Sequence, residues 1–148
     1  MYKKHKIGVS IPCYNEENFI GKTLEGLPDF LDEIYVVNDG SQDKTDDVIR
    51  KYAKHNPKIH LVENPKNMGN GFSVVNGFKH AIKSGCDIVC IVAGDNQCRI
   101  EYLEQLVEQV ANDSCDYAKA NRFANVVELK QMPTFRKMGN IFMSFINK

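Results

Sequence analysis

Asp95 follows directly on an apolar, β-rich run from Ile88 to Val92, and a carboxylate at such a strand end can hold a divalent cation that bridges two phosphates. Gln97 stands two places further and offers a second oxygen or a water anchor. A lone carboxylate serves a helix-leading turn equally well, so the spacing alone leaves both readings of Asp95 open. Asp39 ends another run of this kind. Gly40 permits a tight turn after it, which leaves Asp39 at a strand tip, free to accept hydrogen bonds from a base or ribose. Tyr14 and Glu16 belong to a third polar loop, Pro12 to Glu17. That loop suits either a turn into a capped helix or, with an aromatic ring beside a strand-end carboxylate, the wall of a nucleoside pocket.

Two common phosphate-binding motifs fail. Gly21-Lys22-Thr23 has the end of a P-loop, but Glu16 stands where its first glycine belongs, and a carboxylate there repels phosphate. Gly69-x-Gly71 begins like a dinucleotide fingerprint, yet Val74 replaces the third glycine. The five cysteines, Cys13, Cys86, Cys90, Cys98 and Cys115, lack a C-x-x-C pair and metal-ligand spacing. They read as buried thiols of a reducing cytosol.

The elements that must position these residues alternate. Runs Ile7 to Ile11, Ile34 to Val37, Ile59 to Val62 and Ile88 to Val92 read as buried parallel strands. Between and after them come four helical stripes: Ile20, Leu24 and Leu27; Val48, Ile49, Tyr52 and Ala53, with Asp43 as a cap; Val75, Phe78 and Ile82; and Ile100, Leu103, Leu106, Val107 and Val110. This order implies a doubly wound α/β sheet with right-handed crossovers. Ligands of such sheets bind at the carboxyl ends of the strands, where all the polar loops fall.

The 148 residues fit one domain, and 19 basic against 19 acidic side chains argue against a nucleic-acid partner. That balance hides a division: residues 1–115 hold 13 basic and 17 acidic side chains, residues 116–148 hold 6 and 2. No run is long enough to span a bilayer and no signal peptide is visible. A cytoplasmic location follows, with the cytoplasmic membrane face as an attachment surface. From Phe135 a basic amphipathic stripe runs through Met138, Ile141, Phe142, Phe145 and Ile146. A helix over 133–148 either closes the core or lies on a membrane surface.

Taken together, Ile11 to Glu17, Val36 to Thr45, Asn67 to Gly71 and Ala93 to Gln97, with Lys119 to Phe123 and Met132 to Asn140, resemble the family 2 glycosyltransferases of GT-A fold. The nearest branch holds dolichyl-phosphate mannose synthases and polyprenyl-phosphate sugar transferases. The resemblance implies a Rossmann-like, mostly parallel sheet flanked by helices, in one nucleotide-sugar-binding and catalytic domain, 1–148, cut short at its C-terminus. It implies that Pro12, Tyr14 and Glu16 line the nucleoside pocket and that Asp39 contacts the base. Asp95 matches the aspartate that binds Mg2+ or Mn2+. Gln97 matches a residue close to that metal and the diphosphate, and Arg122 and Arg136 match basic residues at the donor diphosphate or acceptor phosphate.

The sequence departs from the family pattern in three places. Ala93 replaces the first acid of the metal loop, Cys98-Arg99-Ile100 replaces a hydrophobic-Asp-Pro run, and Asn38 stands where Asp is common. The activity implied is inverting, metal-dependent transfer of a sugar from a nucleotide-diphosphate sugar to a polyprenyl phosphate or related acceptor. The rival expectation is a nucleotide-sugar-binding module without independent activity.

Overall fold

The computed structural model describes residues 1–120. The chain divides into a unit Met1–Ala118 and a second, Lys119–Lys148, of which only Lys119 and Ala120 are described. Arg122, Arg136 and the expected helix over 133–148 therefore lie outside the described residues.

The first unit alternates strand and helix as expected: β1 (Ile7–Cys13), α1 (Ile20–Glu25), β2 (Glu33–Asn38), α2 (Thr45–His55), β3 (Ile59–Glu63), α3 (Asn70–Lys83), β4 (Ile88–Ile91), then a 3-10 turn (Ile100–Tyr102) leading into α4 (Leu103–Ala111). Among the described residues the strands of the sheet all pair in parallel, in the order β3-β2-β1-β4. The chain builds outward from β1 to β3, then crosses back to place β4 on the other side of β1. β1 is thus central, with Ile7, Val9 and Ile11 fully buried. β4 is an edge strand among the described residues, and its Ile91 is 52% exposed where the apolar run had suggested burial.

Alternation along the strands sorts the core into two faces. Val9, Ile11, Ile34 and Val36 pack with Ile20 and Leu24 of α1, Ile49 of α2, and Leu103 and Val107 of α4. Tyr35, Val37 and Val62 pack with Ala81 of α3. α1 ends before Leu27, because Gly26 takes the C-cap and Pro28 follows closely.

The stripe expected to seat α3 proves to be the wrong face. Val75 and Ile82 are 52% and 67% exposed, while Ser73, Gly77 and Ala81 are buried. The sheet is the reason: where α3 crosses it on this side, β1 presents the small residues Gly8 and Ser10, a shallow strip onto which a helix settles with its smallest side chains. A Cβ on Gly77 would stand 2.8 Å from Ser10 Cβ and 3.1 Å from Val37 Cγ2.

All five cysteines are free; Cys13 is buried and the other four are half-buried. Among the described residues no helix is long and apolar enough to cross a membrane.

Candidate functional site

At the carboxyl ends of the strands, astride the point where strand order reverses at β1, the loops enclose a cavity of about 380 Å3. β1 and its loop supply Pro12, Cys13, Tyr14 and Glu16. The tip of β2 supplies Asp39. The β3–α3 loop and first turn of α3 supply Asn67, Asn70 and Ser73, and the loop after β4 supplies Ala93, Gly94 and Asp95. Five expected site residues, Pro12, Tyr14, Glu16, Asp39 and Asp95, are therefore brought together. A hollow of about 490 Å3 between Gly26–Phe30 and α4 contains Glu101 and Glu104 but none of these five. Only the smaller cavity unites the strand-end loops.

The first two loops clamp each other. Asn15 N–H donates to Ser41 Oγ at 3.0 Å, and Gln42 N–H returns a bond to Asn15 Oδ1 at 2.8 Å. Glu16 N–H donates to Thr45 Oγ1 at 2.8 Å, Glu17 N–H to Asp43 Oδ2 at 3.1 Å, and Lys44 N–H to Glu17 Oε2 at 2.9 Å. Asp43 also accepts the Thr45 N–H at the start of α2, at 3.0 Å, but from one residue before the N-cap, which is Lys44 and not Asp43 as expected. α1 likewise begins with no side-chain bond at its N-cap. The segment Pro12 to Glu17 is thus held as a wall of the cavity rather than as a capping turn.

Asp39 departs from expectation in one respect: its carboxylate is not free. It is 3% exposed and accepts from Asn64 Nδ2 at 2.7 Å, Met68 N–H at 2.9 Å and Gly69 N–H at 2.8 Å. Burial pushes its carboxyl up, but these bonds outweigh burial and hold it below the usual carboxylate range. Gly40, at φ +71°, makes the grip possible: a Cβ there would meet the Lys66 and Asn67 backbone at 2.7–2.8 Å.

Glu16 is shifted the other way. Burial raises its carboxyl first, and the charges of Asp95 and Asp43 raise it further. Cys13, beneath it, donates its thiol to Val37 O at 3.4 Å and is pushed up to about 12, chiefly by burial, so it stays a protonated core thiol.

Asp95 Oδ1 accepts the Gln97 N–H at 3.0 Å. Gln97 supports Asp95 through its backbone, while its side chain is exposed and does not line the cavity. Among the described residues the cavity wall carries three carboxylates, Glu16, Asp39 and Asp95, and no lysine or arginine. No group of three or more His, Cys, Asp or Glu is placed to hold a metal by itself among the described residues. Such a wall suits a hard cation that takes one or two carboxylates and completes its shell with phosphate oxygens and water.

Sequence reasoning assigned no role to Asn64, Asn67, Asn70 or Ser73. The available signal was Asn64 itself, an amide directly after a buried strand, in the place that Asp39 occupies after β2.

The sequence profile described as Glycosyl transferase family 2 matches residues 9–147. The chain is 30% identical over 149 residues to a UDP-N-acetylglucosamine--dolichyl-phosphate N-acetylglucosaminyltransferase of Methanococcus voltae, which covers 92% of this chain and 59% of that protein. It is 34% identical over 111 residues to a dolichyl-phosphate beta-glucosyltransferase of Trichomonas vaginalis, covering 68% and 32%. Among solved structures, the mannosyltransferase of Pyrobaculum calidifontis in complex with GDP-Man and Mn2+ superposes with a TM-score of 0.61 at 27% identity, over 74% of this chain and 34% of that one. The parallel sheet flanked by helices is that of the GT-A fold. With the strand-end loops gathered in one cavity and the family profile running over nearly the whole sequence, the chain belongs to glycosyl transferase family 2.

Proposed function

We propose that this chain carries the donor half of an inverting transferase that moves a sugar from a nucleotide-diphosphate sugar to a polyprenyl phosphate or related phosphate acceptor. The observation that carries the reading is the assembly of Tyr14, Glu16, Asp39 and Asp95 in one cavity at the switch point of the sheet. Tyr14 is 40% exposed, an open aromatic face for a nucleoside. Asp39 remains ionised and contacts the base. Asp95, with Glu16 close enough to feel its charge, would hold Mg2+ or Mn2+. When bound, that cation neutralises the charge building on the departing diphosphate.

An acceptor phosphate oxygen forms the new bond to the anomeric carbon from the face opposite the diphosphate. The nucleoside diphosphate leaves with the electron pair of the broken bond, and the configuration inverts. A phosphate monoester is already anionic at neutral pH, so this acceptor needs no general base. Arg122 and Arg136 supply phosphate contacts in this scheme, and the basic stretch 133–148 meets an anionic membrane surface at its cytoplasmic face. The acceptor class is supported by the two relatives whose names specify dolichyl phosphate.

Because the chain spans 59% of the Methanococcus relative and less of the Trichomonas one, a second reading stands beside it: a nucleotide-sugar-binding module without turnover of its own. Calorimetry with UDP- and GDP-sugars, with and without Mn2+, followed by a polyprenyl-phosphate transfer assay, separates the two. Transfer is expected to disappear in Asp95→Ala; turnover equal to the unaltered protein would remove Asp95 from the cation site. Donor binding without transfer would favour the module.

A further inference from the structure

Behind Asp39 lies a set of polar side chains with no part in the scheme above. Asn64 is 6% exposed. Its Nδ2 donates to Asp39 Oδ1 at 2.7 Å and to Ser73 Oγ at 2.9 Å, and its Oδ1 accepts from Asn76 Nδ2 at 2.8 Å. Both amide hydrogens are engaged and the carbonyl is held, which fixes the rotation of the side chain. Ser73 donates in turn to Gly69 O at 3.3 Å, and Gly69 N–H donates to Asp39 Oδ2. A closed ring of bonds therefore links the tip of β2, the end of β3 and the first turn of α3.

Counting acceptors gives this ring a meaning. Asp39 Oδ1 takes two bonds, from Asn64 and Met68, and Oδ2 takes one, from Gly69. A carboxylate offers about four lone-pair positions. Ser73 also stands near enough to help hold the charge, but Gly69 N–H is the one donor bonded to Oδ2, so the acceptor position with room for a ligand lies on Oδ2. We propose that Asn64 is a specificity-determining positioning residue: by holding Oδ1 it presents the remaining acceptor of Oδ2 to the cavity, and so selects bases that offer a ring N–H.

Uracil and guanine offer such a hydrogen; cytosine and adenine carry a bare ring nitrogen at the corresponding atom. An ionised carboxylate is an acceptor only. It gains a bond from the first pair and sets lone pair against lone pair with the second, and a buried polar group left unmatched is the strongest basis for discrimination. The inference rests on the reading of Asp39 as the base contact.

The test titrates the full chain calorimetrically with UDP, CDP, GDP and ADP in the presence of Mn2+, before and after Asn64→Ala. The unaltered chain should bind UDP over CDP, or GDP over ADP, by about tenfold or more, and Asn64→Ala should bring that ratio below about threefold while binding through the diphosphate persists. A general loss of stability lowers all four affinities together and leaves the ratio in place; an unchanged ratio overturns the proposal. If Asn64→Ala does not fold, Asn76→Ala removes only the bond that fixes the Asn64 carbonyl, and the ratio should fall in the same direction; no change there overturns the proposal as well. If the unaltered chain binds none of the four nucleotides, the donor reading fails and takes this inference with it. Discrimination that survives the variants sinks this inference alone.

Discussion

Glu16 and Asp39 both line the cavity, yet their carboxyls move in opposite directions. Asp39 receives three donors, so ionising it in the folded state is favourable. Its stabilising effect is present above the unfolded pKa and fades as pH falls through the folded one. Glu16 has burial and two neighbouring acids against it, so its folded pKa lies above its unfolded one. Its contribution is full below the unfolded pKa and is lost as pH rises through the folded value. Glu16→Gln removes the repelled charge. In metal-free buffer at pH 7.5 its melting temperature should exceed that of the unaltered chain by about 1–2 °C, and the gap should close below about pH 4, where glutamate is protonated in both states. Equal melting temperatures at pH 7.5 would show that the Glu16 charge is adequately solvated.

At the scale of elements, the four strands and four helices of the described residues, and the positions of the described site loops, were legible from apolar runs and the polar clusters that follow them. The seating of α3 was not. Large apolar residues mark the interior of a helix only when the helix stands far enough off to seat them, and the small Gly8 and Ser10 let α3 approach too closely for that. Nor was the bonding of Asp39 legible, since Asn64, Met68 and Gly69 reach it from 25 to 30 residues along the chain. The packing makes a sharp prediction. Gly77→Ala gains helix propensity of about 1 kcal/mol, but the added methyl meets Ser10 and Val37, an overpacking that typically costs about 1–3 kcal/mol. Urea denaturation should show net destabilisation, and Ser10→Gly in the same chain should recover part of it. A stabilised Gly77→Ala single variant would mean that α3 rides higher on the sheet than its contacts indicate.

Across the whole molecule the neutral total conceals an acidic portion, residues 1–115, which contains the cavity, and a basic portion, residues 116–148. A cavity wall of three carboxylates is ill suited to a bare diphosphate, so cation and nucleotide should bind as a pair. Saturating ligand at a hundred times its Kd stabilises a fold by about 2.7 kcal/mol, which for this length corresponds to a rise of about 5–10 °C in melting temperature. UDP or GDP with Mn2+ should produce a shift of that order, and each component alone should give much less. A nucleotide shift unaffected by Mn2+ would argue that the carboxylates serve the sugar or base rather than a metal.

The reversal of strand order at β1 also sets an order of assembly. β1 meets β2 through pairs such as Gly8 with Glu33, but it meets β4 through Ile7 with Ile88, a far longer loop to close. Loop-closure entropy makes such distant pairings late and costly steps in folding. Tyr14, Glu16 and Asp39 can therefore reach their native places while Asp95 is still unattached. β4 is the shortest of the four described strands and lies at the edge of the sheet among the described residues. Fraying there detaches Asp95, the carboxylate proposed for the cation, and leaves Tyr14, Glu16 and Asp39 standing, so local opening at β4 is expected to separate donor affinity from catalytic competence.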